Sequence, residues 1–296
     1  MHIFHTKFEP QASQIPIQEN RTLRVLHREI LLRDAFAIAT AWRNNMTRIL
    51  LHGCCGRMGH MITDIVSREE GVMISAGVDA YGETYSSYPV YRTIEEVAES
   101  ADVIVDFSTA KAVDGLLAYA KEKGLPVVLC TTGLTPEQTE KMEKTAEQIA
   151  VLKSANMSVG VNLIIEILKE NAPKLLAAGF DCEIVEKHHN QKLDAPSGTA
   201  LALADAVNES VEETLDYVYD RSGRREKRRQ QEIGISAVRG GTIVGDHDVI
   251  FAGEDEVITF SHRAYSRAVF AKGAVEAAKF LAGKPAGLYS MKDVLA

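Results

Sequence analysis

The sequence predicts an α/β protein in which a parallel sheet covered on both faces is followed by a second, α+β domain built on a mixed sheet. Three observations carry this expectation. Around residue 50 the order is strand, glycine-rich turn, helix, strand, acidic residue. Beyond it, short and almost continuous apolar runs alternate with helical segments, as expected of strands buried on both faces. Between residues 233 and 264, by contrast, three short strand-like runs are separated by glycine and acidic turns.

The first strand is Arg48-Ile49-Leu50-Leu51-His52, followed by the turn Gly53-Cys54-Cys55-Gly56-Arg57-Met58-Gly59. Met58, Met61, Ile62, Ile65 and Val66 then fall on one helical face, and Gly71 lies where that helix would have stopped. Val72–Val78 reads as the second strand and runs into Asp79, 20 residues beyond Gly59. Glycines let a backbone approach a pyrophosphate, and free amides at a helix start attract its charge. A carboxylate at the end of the second strand can accept hydrogen bonds from a ribose. A glycine-rich turn alone is often only a turn, and Cys55 stands where the strict pattern has its middle glycine. The complete strand–helix–strand–acid context nevertheless predicts a Rossmann-like dinucleotide-binding domain.

The parallel pattern continues through a strand at 102–107, a helix at 111–123 and a strand at 125–130 that ends in Thr131-Thr132-Gly133. A helix at 136–148, with Thr135 as its cap, leads to a strand at 149–152 and the loop Ser154-Ala155-Asn156-Met157. Ligands of open α/β sheets sit beyond the carboxyl ends of the strands. The loops at 107–109, 131–133 and 154–157 all fall there, and their joint placement makes them candidates to line a cofactor.

In the second half a long helix is expected over 161–178 and a strand over 181–186. Next comes Lys187-His188-His189-Asn190-Gln191-Lys192-Leu193-Asp194-Ala195-Pro196-Ser197-Gly198-Thr199, the densest group of functional side chains in the chain. Histidine changes charge near neutral pH and suits proton transfer, while lysine can hold a carboxylate. Ser197-Gly198-Thr199 opens a helix over 200–207 whose first amides would form a small-anion site. The adjacent histidines invite a metal, but no Cys-x-x-Cys or His-x-x-x-His spacing completes a zinc site, so no metal is expected. Strands at 233–239, 247–252 and 257–262 and a helix at 267–281 complete the pattern. Residues 221–229 hold six basic side chains with no interleaved aromatic, which reads as a solvated, mobile loop and not as a nucleic-acid site.

Composition sets the remaining bounds. The chain has 296 residues, 33 Lys and Arg against 41 Asp and Glu, and a net charge of −8. The acidic balance argues against a dedicated nucleic-acid binder. No apolar run approaches the ~18 residues of a membrane span. Cys54, Cys55, Cys130 and Cys182 form no metal or redox motif, so a cytoplasmic enzyme with reduced thiols is expected. Residues 1–45 differ from the rest: they carry three of the nine histidines and the only tryptophan, lack a secretory pattern, and precede a second methionine, Met46. They are read as an extension or a misplaced start, with a possible helix over 19–40.

Three segments together resemble the dihydrodipicolinate reductase family: Gly53–Gly59, Glu183–Thr199 and Val238–His247. The tail, with Gly287-Leu288-Tyr289 and Met291–Leu295, is similar too, so that the resemblance spans residues 46–296. It implies reduction of 4-hydroxy-tetrahydrodipicolinate to tetrahydrodipicolinate with loss of water, in the diaminopimelate route to lysine. It implies His188 as proton donor and acceptor, Lys192 as a second proton donor, and His189, Ser197, Gly198 and Thr199 as substrate-binding residues. Gly53, Cys54, Cys55, Gly56, Arg57, Met58, Asp79, Cys130, Thr131, Thr132, Ser154, Ala155, Asn156 and Met157 would line the cofactor. Residues 46–157 with 268–296 would bind the dinucleotide, and 158–267 would bind a cyclic dicarboxylate and build a homotetramer. Many members have glycine at Cys55 and Cys130, where a side chain must point away from the cofactor. Asp79 followed by Ala80 favours NADH, with NADPH accepted.

Overall fold

The two apolar periodicities of the first half resolve into one sheet with a core on each face. In the computed structural model, which describes residues 46–82 and 87–296, β1 (Thr47–His52) lies inside a seven-stranded parallel sheet of order β12-β6-β5-β4-β1-β2-β3. The other strands are β2 (Val72–Val78), β3 (Val90–Tyr91), β4 (Val103–Asp106), β5 (Val127–Leu129), β6 (Ala150–Leu152) and β12 (Gly287–Tyr289). Successive side chains of a strand point to opposite faces. Ile49, Leu51, Val103 and Val105 accordingly enter one core, with Ile62 and Val66 of α1 (Arg57–Val66) and Ala274 and Ala278 of α6 (Ala268–Leu281). Leu50, Ile104 and Val127 enter the other, with Leu116 and Leu117 of α2 (Ala110–Lys123) and Met142 of α3 (Pro136–Ala146). Burial on both sides is why these strands read as unbroken apolar runs.

The second sheet has five strands in the order β11-β10-β7-β9-β8: β7 (Asp181–His188), β8 (Asp216–Val218), β9 (Glu232–Arg239), β10 (Gly245–Ala252) and β11 (Val257–Ala264). β10 runs antiparallel to β7 and β11, whereas β7–β9 and β8–β9 are parallel, so the sheet is mixed. Its core packs against α4 (Val159–Ala177) and α5 (Gly198–Asn208) through Leu168, Ala172, Leu203 and Val207. After β11 the chain returns to the first sheet: α6 packs on α1, β12 pairs with β6, and α7 (Met291–Leu295) buries Met291 in the first core.

The loop at 221–229 is largely exposed, as expected of a solvated loop, but its arginines are paired with acids of the second sheet. Arg221 reaches Glu183 at 2.7 Å and Glu232 at 2.5 Å, and Arg228 holds Asp181 at 2.7 Å and Glu183 at 2.9 Å. Arg229 adds Glu232 and Asp216, each at 3.0 Å. The acids come from β7, β8 and the start of β9, and a mixed sheet brings them to one end. Arg221, backed by Arg229 and Arg224, holds the Glu232 carboxyl down at about 2. No helix of the described residues is long and apolar enough to cross a membrane. The readings made for residues 1–45 lie outside the described residues.

Candidate active site

A cleft of about 1100 Å³ opens beyond the carboxyl ends of β1, β2 and β4. Its floor is the glycine-rich turn. Gly53 has φ +82°, and a Cβ there would come within 2.6 Å of the Phe107 carbonyl oxygen. A Cβ on Gly59 would collide with the carbonyl of Cys54. Both glycines are therefore needed for the turn to pack on itself and on the end of β4. Gly56 caps α1 without a side-chain bond, which leaves the first amides of that helix to an outside acceptor. Asp79 stands at the far wall, where its Oδ2 accepts from the Cys55 amide at 3.0 Å and its Oδ1 from that of Tyr81 at 3.1 Å.

Of the expected cofactor residues, Gly53, Cys55, Gly56 and Asp79 line this cleft. Cys54 is fully buried beneath it, in a space that exists because a Cβ on Gly77 would lie only 2.6 Å from its Sγ. Arg57 is exposed at the helix start, and Met58 packs on the first core. Cys130, Thr131 and Thr132 follow β5, outside the cleft lining. Cys130 packs on the first core with its Sγ 4.0 Å from the Val128 oxygen, and burial pushes its thiol up. Lys153 secures this loop by donating to the Thr131 carbonyl at 2.6 Å. Ser154, Ala155, Asn156 and Met157 follow β6, with Met157 buried and Ala155 exposed.

The Sγ atoms of Cys54 and Cys55 and a carboxylate oxygen of Asp79 lie within 4.8 Å of one another. Burial, reinforced by the neighbouring Cys55, pushes the Cys54 thiol up to about 12, so it carries its proton at neutral pH. Sequence reading missed Arg92 and His60 on the cleft wall, and the buried pair His52–Asp106, 2.8 Å apart. Burial works to raise the Asp106 carboxyl, but His52, Ser108 and Thr131 together hold it below its usual range.

The second cluster gathers at the end of β7. That strand runs two residues past its expected end, so His188 is its last residue and faces the same side as Glu186, Ile184 and Cys182. Glu186 is fully buried; its Oε2 lies 2.6 Å from Nδ1 of His188. Both its oxygens also receive Arg239 from β9, each at 2.7 Å, and Oε1 accepts from the Ser197 amide at 3.0 Å. Burial lowers the His188 pKa, and Glu186 opposes that shift without cancelling it. From β10, His247 sets its ring 5.1 Å from that of His188, edge to face.

Ser197 caps α5. Its hydroxyl oxygen accepts from the Ala200 amide at 3.2 Å and lies 3.0 Å from Nε2 of His247. Burial and the neighbouring His188 bring His247 down to about 4, so it is neutral near pH 7. Gly198 and Thr199 are the first residues of α5, where amides have no acceptor within the helix. Thr199 also receives the Asn156 side chain at 2.8 Å. Lys192 grips Asp194 through both carboxylate oxygens, at 2.7 and 2.8 Å, and the Asp194 carbonyl accepts from Arg239 at 2.7 Å. His189 is half-buried beside this group. Glu186, Arg239 and His247 escaped sequence reading, although the alternation along β7 already placed Glu186 on the face of His188.

A parallel sheet with a glycine-floored cleft, joined to a second sheet that carries a buried histidine–carboxylate cluster beside a helix start, defines a dinucleotide-dependent oxidoreductase. Comparison with known proteins sharpens this. Residues 47–157 match the family described as dihydrodipicolinate reductase, N-terminus, and residues 160–295 the one described as dihydrodipicolinate reductase, C-terminus. A 4-hydroxy-tetrahydrodipicolinate reductase of Caldanaerobacter subterraneus subsp. tengcongensis is 50% identical over 251 residues, 84% of this chain and 98% of the relative. That of Clostridium novyi is 49% identical over 250 residues, 84% of this chain and 98% of the relative. The dipicolinate-bound dihydrodipicolinate reductase from Paenisporosarcina sp. TG-14 superposes with a TM-score of 0.70 at 26% identity, covering 85% of this chain and all of that one. The chain belongs to the dihydrodipicolinate reductase family, and its cofactor is a nicotinamide dinucleotide.

Proposed function

We propose that this chain reduces 4-hydroxy-tetrahydrodipicolinate to tetrahydrodipicolinate with loss of water, in the diaminopimelate route to lysine. The observation that carries the reading is the cluster at the end of β7: His188 backed by a buried carboxylate, Lys192 on the following loop, and the first amides of α5. A dicarboxylate needs cations and free amides together, and this segment supplies both. The names of the 4-hydroxy-tetrahydrodipicolinate reductase relatives support the same substrate.

The turn and cleft fit a dinucleotide: its glycines leave no room for a Cβ, and α1 offers uncapped amides. Gly53, Cys55 and Gly56 would hold the pyrophosphate side and Asp79 the ribose, with Cys54, Arg57 and Met58 shaping the turn. Cys130, Thr131, Thr132, Ser154, Ala155, Asn156 and Met157 would border the nicotinamide end. When bound, the nicotinamide supplies the reducing equivalent at ring carbon 4. His188 exchanges a proton with the neighbouring ring carbon, and Lys192 is the second proton donor. Gly198 and Thr199 hold one carboxylate through their amides, with Ser197 fixing that helix start and His189 binding beside it.

NADH is preferred and NADPH accepted: the Asp79 carboxylate would repel a 2′-phosphate, while Arg57 and Arg92 offer partial compensation. Residues 46–157 with 268–296 act as the dinucleotide-binding domain, and 158–267 as the substrate-binding domain through which four copies assemble. Cys54, Cys130 and Cys182, which form no disulfide, suit a reducing cytoplasm. A coupled assay tests the reading: pyruvate and aspartate semialdehyde with a dihydrodipicolinate synthase generate the substrate, and nicotinamide absorbance is followed with each cofactor. Oxidation that depends on the synthase is expected. A folded protein that binds NADH yet shows none would refute the assignment.

A further inference from the structure

The reading of His188 as proton donor and acceptor leaves open how its ring is held and charged. Glu186 is the only residue in contact with Nδ1 of His188 among the contacts of the described residues, at 2.6 Å and without solvent exposure. A carboxylate in that position accepts Nδ1–H and leaves Nε2 as the nitrogen able to take or give a proton. Beside Nε2 lies Gly245, where a Cβ would sit 3.0 Å away, so bare backbone keeps this side of the ring clear. Arg239 forks onto the same carboxylate and continues to the Asp194 carbonyl, within the loop that carries Lys192.

We propose that Glu186 is a positioning residue for the reaction, fixing the tautomer and charge of His188, and that Arg239 sets how strongly it does so. The proposal rests on the assignment of His188 above. The groups facing His188 act in opposite directions. Glu186, on its own strand, favours the protonated ring. Arg239 from β9, Lys192 from the following loop and burial disfavour it. His247 from β10 is neutral and contributes its ring edge. Asp194 is taken up by Lys192. Removing Glu186 and removing Arg239 must therefore move His188 in opposite senses, which a merely structural role would not do.

The test uses the full chain. Nitrogen NMR of histidine-labelled wild-type protein should show neutral His188 protonated at Nδ1. E186Q should lower kcat by about tenfold or more while leaving the Kd for dipicolinate within about threefold. It should also move the limb of the kcat–pH profile that reports loss of the acid form to lower pH. R239M should move that limb to higher pH. A neutral ring protonated at Nε2, or limbs that stay in place in both variants, would overturn the proposal. If E186Q does not fold, the wild-type spectrum and the R239M profile decide. H188Q separates the two levels: inactivity there with unmoved profiles defeats the role of Glu186 alone, whereas full activity defeats the assignment of His188 as well.

Discussion

The side-chain amide of Asn156 donates to the hydroxyl of Thr199 at 2.8 Å, tying the loop after β6 in the first sheet to the first turn of α5 on the second. Asn156 is locked in this role: its Oδ1 accepts from the Ser158 amide at 2.7 Å, and its carbonyl accepts from Asn162 at 2.8 Å. One side chain thus spans the border between the first sheet's loops and the second sheet's helix α5. Asn156→Ala should raise KM for the substrate by about tenfold, the cost of about one good hydrogen bond. The Kd for NADH, measured by fluorescence titration, should change by less than about threefold. A loss of NADH affinity equal to the rise in KM would contradict the assignment of this side chain to Thr199.

His188→Gln removes the proposed proton-transfer group and should lower kcat by at least about 100-fold, with the Kd for NADH unchanged. Lys192→Ala should lower kcat and raise KM together, since it removes both the proposed second proton donor and a cation from the proposed carboxylate site. Steady-state kinetics in the coupled assay check both. Full activity in both variants would show that the chemistry lies elsewhere.

On the function proposed above, Asp79 governs cofactor choice through charge. The wild type should show a higher kcat/KM with NADH than with NADPH. Asp79→Ser removes the carboxylate that would oppose a 2′-phosphate and should shift the ratio toward NADPH by about tenfold. The same variant loses the acceptor of the Cys55 and Tyr81 amides, so NADH binding should weaken as well. A ratio that does not move would show that Arg57 or Arg92 governs the preference instead.

His247 makes stability depend on pH. Its folded-state pKa, about 4, lies below the ordinary histidine value, so the folded state resists protonation at this site. Its contribution is therefore intact above about pH 6.5 and declines as pH falls from there toward 4, by roughly 3 kcal/mol in all. Denaturant titrations at pH 7, 5.5 and 4.5 should show this slope in the wild type and a shallower one in His247→Phe. The variant should be less stable at pH 7, where the Ser197 hydroxyl loses its partner. Equal slopes in the two proteins would refute the assignment.

The parallel sheet was legible in the sequence because burial on both faces writes itself as unbroken apolar runs, and Leu50 against Ile49 and Leu51 shows how each strand feeds two cores. The second sheet was legible in outline, but its polar interior was not. β7 reads as ending at Glu186 because Lys187-His188-His189 look like a loop; in the structure Glu186 and His188 keep the two-residue alternation of a strand and turn inward. Arg239 and His247 lie far along the chain, and only the pairing of β7 with β9 and β10 brings them to that carboxylate. The acidic partners of the arginines of 221–229 were missed for the same reason: Glu183 and Asp181, which hold Arg228, lie 45 and 47 positions away. β3, β8 and β12 are two or three residues long, too short for periodicity to register.

The pairing of β12 with β6 bears on how the protein is made. The first sheet is begun by β1 near residue 50 but closed by Gly287–Tyr289, and α6, which covers one face of that sheet, comes only after the whole second sheet. During synthesis the nucleotide half must wait, with β6 as a bare edge and one apolar face uncovered, until α6 and Gly287–Tyr289 have left the ribosome. An unfinished chain of this kind offers the exposed strand edge and apolar surface that chaperones and aggregates both recognise. The arrival of α6 and β12, more than any single contact, therefore sets the moment at which the first sheet is protected.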